Sequence, residues 1–295
     1  MEWFVLLFLF NFLLFGFFPA RFLYTPTPVT IAIHAFFFVL YFRWYKPKEN
    51  EKFKRIFNAT LNYDFSIETS NGILPHESHH RKIIYAVHPH GVYAIALIGY
   101  FGFHVSHDKL KVAVSSILFR LPLVKDFCRF TGINTTIKRA ELMEALKTHS
   151  IAMCPGGLRE LLKQPDYVKR KGFIKLAQEA NADVCLVTCN QETELYSVFS
   201  NRPFLYSMQD WFLRKFLYPF PVLSWGNWLF PFWPKYLKEP MRITVGPIIS
   251  TENGVSVDDV FNKLYNMGFC FYRFFEFEVS KDIVCFSFKG NSICI

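Results

Sequence analysis

The sequence predicts an α/β fold, a layered domain on a mostly parallel sheet with an N-terminal hydrophobic membrane hairpin. Three observations predict it. Short apolar runs of strand length alternate with segments of helical spacing from about residue 82 to 250. Two of those runs end in proline- and glycine-bearing corners, His88-Pro89-His90-Gly91 and Pro155-Gly156-Gly157, each followed by a candidate helix. Two apolar runs separated by prolines open the chain. Strand–helix alternation with strands apolar throughout is the pattern of a sheet covered on both faces.

In chain order, residues 3–18 (WFVLLFLFNFLLFGFF) and 29–42 (VTIAIHAFFFVLYF) are the two apolar runs, with Pro19, Pro26 and Pro28 between them. Each is shorter than the roughly 20 residues of a full span, so together they read as a hairpin over 1–46, with a single span covering only one run as the alternative. Arg43, Lys46, Lys48, Lys52, Lys54 and Arg55 follow, which places the remainder on the cytosolic side. The Met-Glu start and the lack of a small-residue cleavage site argue against a cleaved signal peptide. Residues 47–80 read as a connector with a strand near 64–69.

The core, 81–252, begins with KIIYAV (82–87) as a buried strand. VYAIALIGYFGF (92–103) follows as a helix and KVAVSS (111–116) as a strand. ELMEALKTH (141–149) has helical spacing, SIAMC (150–154) is a strand, and GFIKLAQEA (172–180) is a helix. DVCLVT (183–188) and MRITVG (241–246) complete the strands. The aromatic, proline-rich 211–235 is not a spanning helix; it is either a surface dipping into the membrane interface, a lipid-lined tunnel wall, or a packed core loop. Residues 253–295 form a divergent C-terminal segment.

Composition narrows the function classes. Of 295 residues, 52% are hydrophobic, 36 are Phe and only 19% are charged, a balance suited to a protein sharing its surface with lipid. The net charge of +9 comes without interleaved basic and stacking residues or a zinc-finger pattern. Anionic headgroups or a phosphate-bearing cosubstrate therefore fit it better than nucleic acid. Seven cysteines without a CxxC pair argue against a disulfide framework and for reduced, buried thiols.

At the first corner, Pro89 fixes the backbone and Gly91 admits conformations and close approaches closed to other residues. Strand ends of α/β sheets are where ligands bind, and histidine is the natural base near neutral pH. His88 and His90 are thus candidates for general-base work. Helix-capping histidines are the structural alternative, and a metal site with His76, His79 and His80 lacks a supporting carboxylate pattern. At the second corner, the N–H groups around Gly156 and Gly157 could hold an oxyanion or phosphate, with Glu160 at the following helix start. Arg170, Lys171 and Lys175 cluster around Gly172, either as a solvated face or as a clamp for phosphates.

Taken together and in order, His88-Pro89-His90-Gly91, Pro155-Gly156-Gly157…Glu160 and Arg170-Lys171-Gly172-Phe173…Lys175-Leu176-Ala177 resemble the type-2 diacylglycerol acyltransferase family, which includes monoacylglycerol acyltransferases and wax synthases. The resemblance runs from about 82 to 250. It implies a glycerophosphate-acyltransferase-like domain and transfer of a fatty acyl group from acyl-CoA to a neutral lipid hydroxyl, diacylglycerol foremost. It implies His90 as the base supported by His88, with Glu160 assisting, and acyl-CoA held by Arg170, Lys171, Gly172 and Lys175. It also implies positioning roles for Pro89, Gly91, Pro155, Gly156, Gly157 and Glu192, no metal, no cofactor beyond acyl-CoA as cosubstrate, and an endoplasmic reticulum or lipid-droplet membrane. The Asp that glycerophosphate acyltransferases carry five residues after the histidine is absent: Tyr93 and Ile95 stand there. Where the family has Phe-Gly-Glu, this chain has Asn190-Gln191-Glu192, retaining only the Glu. A lipid-binding protein without turnover and a thioesterase are the rival classes, and the oligomeric state, homo-oligomer included, is left open.

Overall fold

The computed structural model describes residues 39, 48–55, 65–68, 79–105, 109–120, 124–157, 170–198, 203–216, 224–226, 234–235, 237, 240–252, 254–264, 266, 286–288 and 291–293. The expected hairpin, Val39 apart, lies outside them, as does most of the connector. Among the described residues no helix is long and apolar enough to cross a membrane.

Seven strands form the main sheet: β1 (Phe65–Glu68), β2 (Ile83–His88), β3 (Leu110–Val114), β4 (Thr135–Thr136), β5 (Ser150–Met153), β6 (Asp183–Cys189) and, as its ninth-position strand in the chain, β9 (Met241–Ile249). Their spatial order is β1-β9-β6-β2-β5-β3-β4. Neighbours from β6 to β4 pair in parallel, and β1 pairs in parallel with β9. Only the β6–β9 contact is antiparallel. The sheet is therefore mostly parallel, as expected. Two short strands, β7 (Ser197–Val198) and β8 (Ser224–Trp225), make a separate antiparallel pair, as do β10 (Phe286–Phe288) and β11 (Asn291–Ile293).

Strand periodicity sorts the core into two layers. Ile83, Tyr85, Val87, Cys185 and Val187 face one side, against a helical segment over Ala96–His104 and the α1 helix (Val124–Phe130) through Cys128. Ile84, Ala86, Val184 and Leu186 face the other. There they meet Leu142 and Leu146 of α2 (Arg139–Leu146), Ile174 and Ala177 of α3 (Gly172–Glu179), and Val260 and Leu264 of a helix at 257–264. Every residue of β2 and β6 is buried, which explains why both read as unbroken apolar runs rather than alternating ones.

Three local features differ from expectation. The helix expected from Val92 begins at Ala96, and its nine residues have the wider π winding. Residues 92–94 instead prolong the corner, with Ala94 at a positive φ of 50°. The reason is tertiary: a carboxylate from a distant loop takes the first N–H groups of this helix, as described below. Residues 211–216 are the last turns of a helix, α4 (Pro203–Phe216), rather than part of a continuous aromatic loop. The C-terminal segment also joins the core, since the 257–264 helix buries Val260 and Leu264, while the strand expected near 64–69 is β1, paired with β9.

At the N-terminal ends of β2 and β6 a polar clamp closes the sheet. Asp183 is buried and accepts from Thr251 N–H at 3.1 Å, while Arg81 Nη1 lies 2.9 Å and His79 Nε2 2.7 Å from its carboxylate. Arg81 also donates to the Asn181 side chain at 2.8 Å and to its carbonyl at 3.2 Å. His79 is thus committed to Asp183, and His76 lies outside the described residues.

Candidate active site at the carboxyl ends of the central strands

The site follows from strand order. β2 lies between β6 and β5, so the segments leaving these three strands emerge side by side at one sheet edge. From β2 comes His88, its last residue, paired in register with Thr188 of β6. The corner His88-Pro89-His90-Gly91 follows, with a cis His88–Pro89 peptide. From β5 come Cys154 and the Pro155-Gly156-Gly157 turn, closed by Gly157 N–H donating to Cys154 O at 3.2 Å. From β6 comes a single helical turn, Asn190–Thr193, carrying Glu192.

His90 stands at the meeting point and is buried. Its Nδ1 lies 2.8 Å from Gly91 O and its Nε2 2.6 Å from Gly157 O. Carbonyls only accept, so a neutral imidazole can donate to one of these partners and must turn a lone pair toward the other. A doubly protonated ring satisfies both.

Glu192 supplies the carboxylate behind this corner. It is 1% exposed. Its Oε1 accepts from Ile95 N–H and its Oε2 from Ala96 N–H, each at 2.6 Å, so it caps the first turn of the helix with both oxygens. Burial pushes its carboxyl above the ordinary carboxylate range; the Ala96 and Ile95 N–H bonds and the charge of nearby His90 pull the other way without cancelling it. The fit is close. A Cβ on Gly91 would lie 2.6 Å from Glu192 O and 3.0 Å from Glu192 Oε1, so only glycine lets the two segments approach this far.

On the far side of His90, Gly157 adopts a positive φ of 55°. A Cβ there would lie 3.4 Å from Arg170 Nη1, which places the guanidinium against the turn whose carbonyl meets His90. The structure thus brings together His90, Gly91, Gly157, Glu192 and Arg170 from four segments. It leaves other expected residues elsewhere. Lys171 pairs with Asp258 at 2.5 Å and lies 5.2 Å from the Phe261 ring, tying α3 to the 257–264 helix. Lys175 is exposed on α3, and Gly172 opens that helix with nothing within 4 Å of where a Cβ would be. Glu160 lies outside the described residues.

Tyr93 was noted in the sequence only as the residue standing where an Asp would be. It is exposed at the rim of the corner and meets Tyr196 edge-on, with ring centroids 5.0 Å apart. Its position three residues past His90 is the one sequence signal that could have marked it. The capping of Ile95 and Ala96 by Glu192 had no such signal. Cys128 and Cys185 are buried, with burial pushing each thiol up to about 12, the state of packed rather than reactive cysteines.

With this geometry in place, the comparisons decide the family. The diacylglycerol acyltransferase profile matches residues 22–267. The chain belongs to the diacylglycerol acyltransferase family. Two relatives, both named diacylglycerol O-acyltransferase 1, are similar to it. The protein of Saccharomyces cerevisiae is 29% identical over 203 residues, covering 62% of this chain and 49% of that protein. The one from Eremothecium gossypii is 26% identical over 184 residues, covering 56% and 40%. The chain therefore spans about half the length of these relatives or less. Among solved structures, the 1-acyl-sn-glycerophosphate (LPA) acyltransferase PlsC of Thermotoga maritima superposes with a TM-score of 0.42 at 15% identity, covering 89% of this chain and 93% of that one. That score bears on neither fold nor function.

Proposed function

We propose that this family member is a membrane-bound, acyl-CoA-dependent O-acyltransferase that acylates the hydroxyl of a neutral lipid, with diacylglycerol as acceptor and triacylglycerol as product. The single observation that carries the reading is the convergence of His90, Glu192 and the Gly157 turn at the carboxyl edge of β2, β5 and β6. Family membership and the names of both relatives support the reaction class.

In this mechanism Nδ1–H donates to Gly91 O and leaves Nε2 as the base. Gly157 O, 2.6 Å from Nε2, gives up this place to the acceptor hydroxyl, which then donates its hydrogen bond to the Nε2 lone pair. Nε2 takes the hydroxyl proton as the oxygen attacks the thioester carbonyl of acyl-CoA. The tetrahedral oxyanion collapses, the C–S bond breaks, and the CoA thiolate leaves with the proton returned from Nε2. Such a base contributes about a hundredfold to ten-thousandfold. Glu192 fixes the corner through the Ile95 and Ala96 N–H groups and offsets the charge that forms on His90. Arg170, beside Gly157, meets the developing oxyanion or a CoA phosphate, and Lys175 adds charge along the CoA path. His88 and Glu160 support the base, while Pro89, Pro155 and Gly156 hold the two corners. The domain is of the glycerophosphate-acyltransferase kind, with 81–252 as its core joined by β1 and the 257–264 helix, the 1–46 hairpin in the endoplasmic reticulum or lipid-droplet membrane and the core facing the cytosol. The basic residues after the second apolar run support that orientation.

The test supplies membranes carrying wild type or His90→Ala with labelled oleoyl-CoA and, separately, diacylglycerol, monoacylglycerol, a fatty alcohol and lysophosphatidate. Triacylglycerol from wild type alone is the expected result. Ester from monoacylglycerol or alcohol only would move the acceptor. Equal signals from both proteins, free fatty acid alone, or no product from either would overturn the reading.

A further inference from the structure

We propose that the outer face of α4 is a second membrane contact, an aromatic and cationic strip that lies flat on an anionic phospholipid surface. It stands on observations separate from both the hairpin and the acyltransfer chemistry.

Phe204 is 76% exposed and Trp211 is 52% exposed. Single exposed apolar residues are ordinary, and Val39, Tyr93 and Ile137 are such cases on separate elements. Here the two residues are seven apart on one helix. At about 100° per residue they lie within about 20° of one line, and Lys215 lies on the same line at the C-terminal end. Gln209 and Leu213 are buried on the opposite face, so the helix already uses that side for packing. The exposed strip runs about 16 Å, from residue 204 to 215, at about 1.5 Å per residue. Aromatics at residue 204 and about two turns further on at 211, with Lys215 at the end, set the axis along an apolar boundary, not across it.

Charge selects the occupant. Lys215 Nζ lies 5.5 Å from the Trp211 ring centroid, so the aromatic end of the strip carries a cation. The one acid of the helix, Asp210, lies off the strip and is paired with Arg214 at 2.7 Å. An aromatic ring with its cation beside it matches the boundary between acyl chains and phosphates, where Trp settles and Lys reaches the headgroups. The sequence continues the trend: residues 217–234 hold no Asp, Glu, Lys or Arg and are rich in Phe and Trp. An apolar protein groove would accept the rings but would gain nothing from Lys215. Such a strip would hold the edge of the catalytic domain close to the surface from which a neutral lipid is drawn.

The full chain is reconstituted in phosphatidylcholine vesicles with and without phosphatidylserine, with p-benzoylphenylalanine in place of Phe204, of Trp211 or, as control, of the exposed Glu144 on α2. Illumination followed by mass spectrometry reads phospholipid adducts. The expected result is several-fold more adduct at positions 204 and 211 than at 144, raised by phosphatidylserine and reduced severalfold by Lys215→Glu. Adduct yields equal to the control, or cross-links from 204 and 211 to protein in place of lipid, would overturn the proposal, as would indifference to phosphatidylserine together with Lys215→Glu. Acyl transfer is assayed on the same vesicles. Product without adducts sinks this inference alone, and adducts without product sink the catalytic reading alone.

Discussion

The two ends of β2 and β6 use similar chemistry to opposite ends. At the N-terminal end a buried carboxylate, Asp183, faces His79; at the C-terminal end a buried carboxylate, Glu192, stands near His90. Asp183 is saturated by a guanidinium, an imidazole and a backbone N–H, so its charge has ionic partners. The carboxylate oxygens of Glu192 take backbone N–H groups, with His90 nearby across the corner. The first arrangement fixes strand ends. The second holds a helix and a histidine corner together while leaving the imidazole between two carbonyls. The difference teaches that two buried carboxylates with a histidine nearby are set apart by what satisfies them: ionic groups on Asp183, backbone N–H groups on Glu192.

Breaking each end separately tests this. Asp183→Ala leaves Arg81 and His79 facing an emptied site and should destabilise the fold by about 3 kcal/mol, at the low end for a broken buried pair because both partners are partly exposed. Activity per folded molecule should persist, measured as product per protein in the folded fraction after thermal unfolding in detergent. His90→Ala should weight the two effects the other way, with turnover falling by about a hundredfold or more and a smaller loss of stability from the cavity left by the buried ring.

Glu192 should show both effects. Glu192→Ala strands two buried N–H groups and should cost about 2–4 kcal/mol along with most activity. Glu192→Gln keeps one acceptor oxygen and should cost roughly half as much. Full activity in Glu192→Ala would place the carboxylate outside the reaction.

A smaller effect separates two glycines of the recognised motifs. Gly91→Ala forces a methyl against Glu192 O and should cost about 1–3 kcal/mol, with a drop in kcat. Gly172→Ala meets open space at a helix start and should leave stability within about 1 kcal/mol of wild type.

The smallest effect is in pH. The Glu192 carboxyl is raised in the fold, so the folded chain keeps a proton there that the unfolded chain releases near 4.5. Where the folded state binds more protons, stability falls as pH rises. This contribution should be fully present below about 4.5, decline through the window up to the raised value, and vanish from the slope in Glu192→Gln. Unfolding midpoints of the two proteins across that window check the sign.

Much of the architecture was legible because strand burial leaves a local signature. β2 and β6 are covered on both faces, so IIYAVH and DVCLVTC could not be written without continuous apolar runs. The corners were legible for the same kind of reason: a strand end followed by proline and glycine announces a turn wherever it packs. α4 was less legible because its exposed aromatics hide the helical pattern that its buried face would otherwise show. The late start of the π-wound helix was not legible at all, since Glu192 sets it from 97 positions away.

What the sequence by itself determined is which residues lie on which face and where the chain turns, since both follow from side-chain period and backbone restriction. What only the tertiary structure decided is which turns meet. His90 reaches Gly157 across 67 positions and His79 reaches Asp183 across 104, because β2 settles between β5 and β6. Strand order depends on how whole crossovers pack, and no local pattern encodes it. The same Arg-Lys pair shows the consequence: Arg170 turns to the Gly157 corner and Lys171 to Asp258, one residue apart and on separate tasks.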